Sequence, residues 1–169
     1  MPSKAQEKKE GVLSALREVR SRILHAAASL TDPQRDEVFL GVWSIRDLLA
    51  HLVGWDYANI EGIEAILAGR LPAFYAHYDT DWQTFNAGLV AEHRCDDWDE
   101  LLRSVERSHS KLIAVAGQVA PAEFFKDRGL RRKRYRVTIG SILQADVNDV
   151  KRHLAQVLAF VEARGSGDE

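Results

Sequence analysis

The sequence predicts an all-α protein: a four-helix bundle with a long crossover between its second and third helices. Three observations carry this. Apolar residues recur at three- and four-residue spacing through long stretches, the period of helices with one face in a core. These stretches open on capping residues or close on glycine or proline. The apolar–polar alternation of strands is nearly absent.

The first helix is expected over 5–30, where Val12, Leu16, Val19, Ile23 and Leu30 keep the period and Gly11 weakens the first turns. Thr31-Asp32-Pro33 stops it and begins a short helical turn. Ser44 and Asp47 have the spacing of a capping box, so a second helix starts near Ile45 and runs to about 68, with Gly69 as its stop. Leu48, Leu52, Trp55, Asn59, Ile63 and Ile66 form its inward stripe, and His51 falls on the shoulder of that stripe. Residues 70–81 make a connection too long for simple antiparallel neighbours and indicate the crossover. A helix over 82–93 turns Phe85, Leu89 and Val90 inward.

Asp97 and Glu100 are expected to form a second capping box, opening a helix with Leu101, Val105, Leu112 and Ala116 inside, which Gly117 and Pro121 break. Residues 122–137 are the least regular part. Thr138 caps the last helix, over about 139–163, whose apolar face is Ile139, Leu143, Val150, Leu154, Val157 and Val161. Residues 1–169 read as a single domain with its core over about 5–163 and a flexible tail over 164–169.

Composition narrows the function classes. A chain of 169 residues with 46% hydrophobic and 28% charged residues is of ordinary globular type. A formal net charge of -2 argues against a dedicated nucleic-acid or membrane-surface protein. The basic loop 131–136, with Arg131, Arg132, Lys133, Arg134 and Arg136 around Tyr135, is the one hint of a nucleic-acid or anionic partner. Cys95 is the sole cysteine, so no intrachain disulfide forms and a reducing compartment is expected. No apolar signal core and no run approaching about 18 apolar residues is present, which makes cytoplasm the expected location and leaves no membrane partner. The phosphate-binding glycine motifs and the G-x-S-x-G elbow of serine hydrolases are absent.

One constellation carries chemistry. Asp146, Asp149 and His153 interrupt the last helix at three- and four-residue spacing, so Asp149 and His153 stack on one face, about 6 Å apart at Cβ. Joined by His51 from a facing helix, they make two imidazoles and a carboxylate, a set that zinc, iron or nickel accepts with positions left open. Asp146 or Asp56 is placed to orient a ligating histidine. The competing reading makes Asp149–His153 an ordinary surface pair and His51 a core histidine. Trp55, Tyr78, Trp82, Phe85 and Asn86, with Tyr75, are candidates for the walls of an adjoining pocket.

Trp43-Ser44, the run Asp47-Leu48-Leu49-Ala50-His51-Leu52, Trp55, the segment Trp82-Gln83-Thr84-Phe85-Asn86, and Asp149 through His153 to Gln156-Val157 resemble the DinB/YfiT-like superfamily, near its ClbS/DfsB branch. The resemblance implies a four-helix bundle, commonly a homodimer, with a metal site that takes one histidine from the second helix and an H-x-x-x-H pair from the fourth. His51 and His153 match. Asp149 stands where most members have histidine, although the mycothiol-dependent maleylpyruvate isomerases have glutamate there. The resemblance thus implies a divalent-metal-dependent transferase, isomerase or hydrolase acting on a small molecule, with a low-molecular-weight thiol as a possible cosubstrate. The ClbS/DfsB branch implies an alternative: a metal-free small-molecule binding or self-resistance protein.

Overall fold

The computed structural model describes residues 1–165. Helix α1 spans Lys4–Ala28 and starts where Ser3 Oγ accepts from the Gln6 amide. It ends two residues before the expected boundary because Ser29 turns back to bond the Ala26 carbonyl through both its amide and its hydroxyl. Helix α2, Asp32–Asp36, is the short turn signalled by Thr31 and Pro33, closed by a reciprocal Thr31–Gln34 box. Helix α3, Ile45–Leu67, opens on the Ser44–Asp47 box, and Gly69 follows it at a φ of +77°, a conformation that favours glycine.

A 3₁₀ turn, Ala73–His77, leads to α4, Trp82–His93, and then to α5, Trp98–Gln118. Asp97 caps α5, but the expected box is half made: the Glu100 carboxylate is drawn instead to Arg103 and Arg107. The irregular stretch contains a single-turn helix α6, Pro121–Phe124, and a two-residue hairpin, β1 Arg131–Arg132 with β2 Tyr135–Arg136. Helix α7 spans Ile139–Gly165 and begins where Thr138 Oγ1 accepts from the Ser141 amide. Of the tail expected to be flexible, Arg164 and Gly165 belong to the last turn of α7, because Arg164 is held by Glu37; residues 166–169 lie outside the described residues.

Contacts fix the directions. The start of α3 meets the start of α5 through Arg46 and the Asp96 carbonyl, and their middles meet through Asp56 and Ser108, so the two run parallel. The intervening chain therefore crosses over, and it is longer than 70–81 because α4 lies within it, packed on the outside of α3. A Cβ on Gly54 would sit 2.7 Å from that of Leu89, so the close seating of α4 depends on this glycine. Helix α7 runs antiparallel to α3, with Ile142 beside Gly62 at one end and His153 beside His51 at the other. Helix α1 is antiparallel to α5: near its start, Lys9 Nζ donates to the Gly117 and Val119 carbonyls at 2.7 Å each, a cation on the negative end of a helix.

Four long helices thus form a bundle with two apolar cores. One gathers Leu13, Ile63, Leu112, Phe124 and Leu143; the other gathers Ile23, Leu48, Val105, Leu154 and Val157. Between them lies a polar layer. Arg20 Nη1 and Nη2 donate to Asp56 at 2.8 Å each, and Ser108 Oγ donates to the same carboxylate at 2.6 Å.

Candidate metal centre

His51 reaches the bundle interior from α3 because its position lies on the shoulder of the buried stripe, and only 4% of it is exposed. Asp149 and His153 rise from α7 one turn apart, and His153 Nε2 lies 3.3 Å from Asp149 Oδ2. The antiparallel seating of α3 and α7 sets the His51 and His153 rings edge to face, centroids 5.3 Å apart. One ligand atom from each of His51, Asp149 and His153 lies within 4.8 Å of the other two, close enough for one small ion to be reached by all three.

The electrostatics suit a cation. Burial, reinforced by the neighbouring His153, lowers the His51 pKa to about 3, so this imidazole is neutral at ordinary pH, as a ligand must be. Its Nδ1 is buried without a hydrogen-bond partner, and an unmet buried nitrogen is costly unless something else occupies it. The hydrogen bond from His153 holds the Asp149 carboxyl below its usual range despite burial, so it is ionised. Gln156, one turn further along α7, sits with Oε1 2.9 Å from His153 Nδ1. With Nδ1–H donating to Gln156, Nε2 would be free to bind an ion in place of the proton it otherwise shares with Asp149, the usual way a ligating histidine is oriented. Arg152 also pairs with Asp149 and competes for it from the rim.

The two carboxylates expected to orient the histidines separate. Asp146 lines the same cavity as His51 and His153, largely buried at its edge, and burial followed by repulsion from Asp56 raises its carboxyl to about 7. Asp56 does not reach the histidines. Five residues beyond His51 on a helix of about 100° per residue, it points roughly 140° away, into α1 and α5, where Arg20 and Ser108 occupy both its oxygens.

The cavity holds about 460 Å³. Trp55, Tyr78, Trp82 and Asn86 line it, and Asn86 Oδ1 accepts from Trp55 Nε1 at 3.0 Å. Phe85 does not. It precedes Asn86 by one position and so faces a neighbouring cavity between α3 and α4, where its ring stacks on His77 at 4.6 Å. Sequence reasoning missed Trp43 as a wall; its ring lies 4.6 Å from that of His51, and a residue outside any helix offers no periodicity to place it. The Gln156 contact, by contrast, follows the i,i+3 spacing and was open to detection.

The sequence profile of the DinB superfamily matches residues 15–157. The chain belongs to the DinB superfamily. Among solved structures, the colibactin self-resistance protein ClbS in complex with a dsDNA superposes with a TM-score of 0.74 over 90% of this chain and 94% of that one, at 15% sequence identity. That likeness is one of fold. No curated protein matches the chain. Among the described residues, no helix is long and apolar enough to cross a membrane.

Proposed function

We propose that this DinB-superfamily chain holds one divalent ion, zinc, nickel or iron, through His51, Asp149 and His153, and acts on a small molecule in the adjoining cavity as a transferase, isomerase or hydrolase, with a low-molecular-weight thiol as a possible cosubstrate. The observation that carries the reading is the unpartnered, buried Nδ1 of a neutral His51 set against an ionised carboxylate and a second imidazole. A divalent ion there supplies Lewis-acid polarisation of a substrate oxygen or thiol. The chain's own residues do the rest. Gln156 orients His153, and the Trp55–Asn86 bond fixes one wall of the cavity. Asp146, titrating at about 7, is suited to give or take a proton at the cavity edge. Elemental analysis of untagged protein prepared without chelator tests the reading. The expected result is one ion per chain, lost in His51→Ala; protein that neither carries zinc, nickel or iron nor takes them up ends it.

A second reading is favoured by two observations: Asp149 is already paired with both Arg152 and His153, and the ClbS likeness spans nearly the whole chain. In it the cavity binds or inactivates a reactive small molecule without metal, with Asp146 and His51 as its polar groups. The same likeness extends this reading to a DNA partner. The hairpin is the surface with the charge for it, although Asp127 offsets Arg131 and Arg136, and Asp79 offsets Arg132 and Lys133. Fluorescence anisotropy with a short duplex, comparing the wild type with Arg134→Glu, measures that contact; an equal signal for both removes the hairpin from it.

A further inference from the structure

The cavity walls say more than that a small molecule enters. Six aromatic rings line it, delivered by four separate segments: Trp43 before α3, Trp55 on α3, Phe74, Tyr75 and Tyr78 on the crossover, and Trp82 on α4. Of these, only Phe74 is counted among the buried core residues; the other five keep partly open faces on the cavity. Several of these rings touch one another and form one continuous aromatic wall. Tyr78 and Trp82 stack at 4.4 Å and 30°, Trp55 meets Trp82 at 5.3 Å, and Trp55 and Phe74 meet nearly edge to face at 5.2 Å and 65°. Arg132, which is not part of the cavity lining, lies over the Tyr78 ring at 4.4 Å and over Tyr75 at 5.4 Å and braces the wall.

On one side Trp55, Phe74, Tyr75 and Tyr78 pack with the aliphatic residues of the first apolar core; the cavity side is different. Here Ile142 and Ala145 are the sole aliphatic lining, and both come from α7. Aromatic faces left open to a cavity prefer the offset or edge contact of another π-system. Asn59 and Asn86 are polar lining of the aromatic side, but the imidazoles and charged groups are gathered at one end. His51, Asp146, Asp149 and His153 come from the facing stretches of α3 and α7, and Arg152 is the sole cation in the lining.

We infer that the ligand of this cavity is a planar aromatic or conjugated molecule bearing an anionic oxygen group, with its ring laid against the wall of Trp55, Tyr78 and Trp82 and its oxygen turned toward the His51–His153 pole and Arg152. This rests on the reading that the cavity takes a small molecule, but it holds with or without an ion. The ring dictates the fit to the walls; the oxygen suits an ion at His51, Asp149 and His153 when one is present, and when it is not, the exposed Arg152 guanidinium, which it would share with Asp149.

The test uses 2-naphthoate and its saturated counterpart, decahydro-2-naphthoate, titrated calorimetrically into the full-length protein in the presence of chelator and again after loading with zinc. The expected result is saturable binding of 2-naphthoate about tenfold tighter than its saturated counterpart. Tyr78→Leu should weaken 2-naphthoate about fivefold or more, and Tyr78→Phe should restore it, a pair that separates a lost ring from a damaged fold. Equal affinity for the two acids, no detectable binding of either, or indifference to Tyr78→Leu overturns the inference. The metal reading is scored separately on the same samples: naphthoate bound selectively by protein that takes up no zinc, nickel or iron ends the metal reading and leaves this inference standing. Zinc held by His51 and His153 without aromatic preference does the reverse.

Discussion

Two buried polar clusters share α3, about one and a half turns apart, and they are built on opposite principles. In the first, the Asp56 carboxylate, 1% exposed, receives two hydrogen bonds from Arg20 and one from Ser108. Burial works against the Arg20 charge, and Asp56 outweighs it, so the guanidinium pKa is raised. The groups of this cluster point at one another, with Arg20 Nε left as its unmet donor. In the second, His51 is equally buried but its Nδ1 has no partner, and Asp149 divides its oxygens between a histidine and an exposed arginine. One cluster holds three helices together by satisfying its charges. The other leaves the His51 Nδ1 unmatched beside a cavity, which has a folding cost and is the feature on which the proposed site rests.

The comparison can be broken most forcefully at Asp56. Asp56→Ala strands a buried guanidinium and should lower stability by about 3–5 kcal/mol in denaturant unfolding, with any zinc response intact. Replacing both partners, Arg20→Met with Asp56→Leu, should recover most of that loss. A loss below about 1 kcal/mol in the single variant would show that the layer is not the structural cluster described.

Metal sharpens the other side. At 100 times its dissociation constant, zinc or nickel should add about 2.7 kcal/mol to the folded state, a rise in Tm of roughly 5–10 °C for a chain of this size. Calorimetry should find the rise absent in His51→Ala and in His153→Ala and retained in Asp149→His, which supplies a third imidazole. A rise that survives loss of His51 places the ion elsewhere.

Acid separates the clusters without metal. The folded pKa of His51 is about 3 against 6.5 for the free side chain, so the stability it contributes is complete above pH 6.5 and is lost as the pH falls toward 3. Asp146, raised to about 7 from 3.8, acts oppositely: its protonation stabilises the fold as the pH falls through 7. The wild type partly cancels these trends. In chelator, His51→Gln should therefore gain about 2 kcal/mol relative to the wild type between pH 7 and pH 5. Parallel curves for the two proteins would mean that His51 titrates normally. The smallest effect is expected at Gln156→Ala, about a tenfold loss of zinc affinity by competition titration with a chromophoric chelator; an unchanged affinity would remove Gln156 from the site.

Much of this was legible in the chain. Periodicity and caps located α3 from Ser44 to Gly69 and α7 from Thr138, and spacing alone stacked Asp149 on His153 and put His51 on an inner shoulder. Such signals are local. They tell which side of a helix is buried and say nothing of which neighbour covers it. Only the parallel seating of α3 on α5 gave Asp56 its arginine and serine rather than a histidine. Only the antiparallel seating of α7 brought His153 to His51. The place of α4 on the outside of α3 turned Phe85 away from the cavity while keeping Trp82 and Asn86 in it. Within a helix, side-chain position follows from backbone geometry a few residues long; between helices it depends on packing among residues as far apart as Trp43 and His153, which no short-range pattern records.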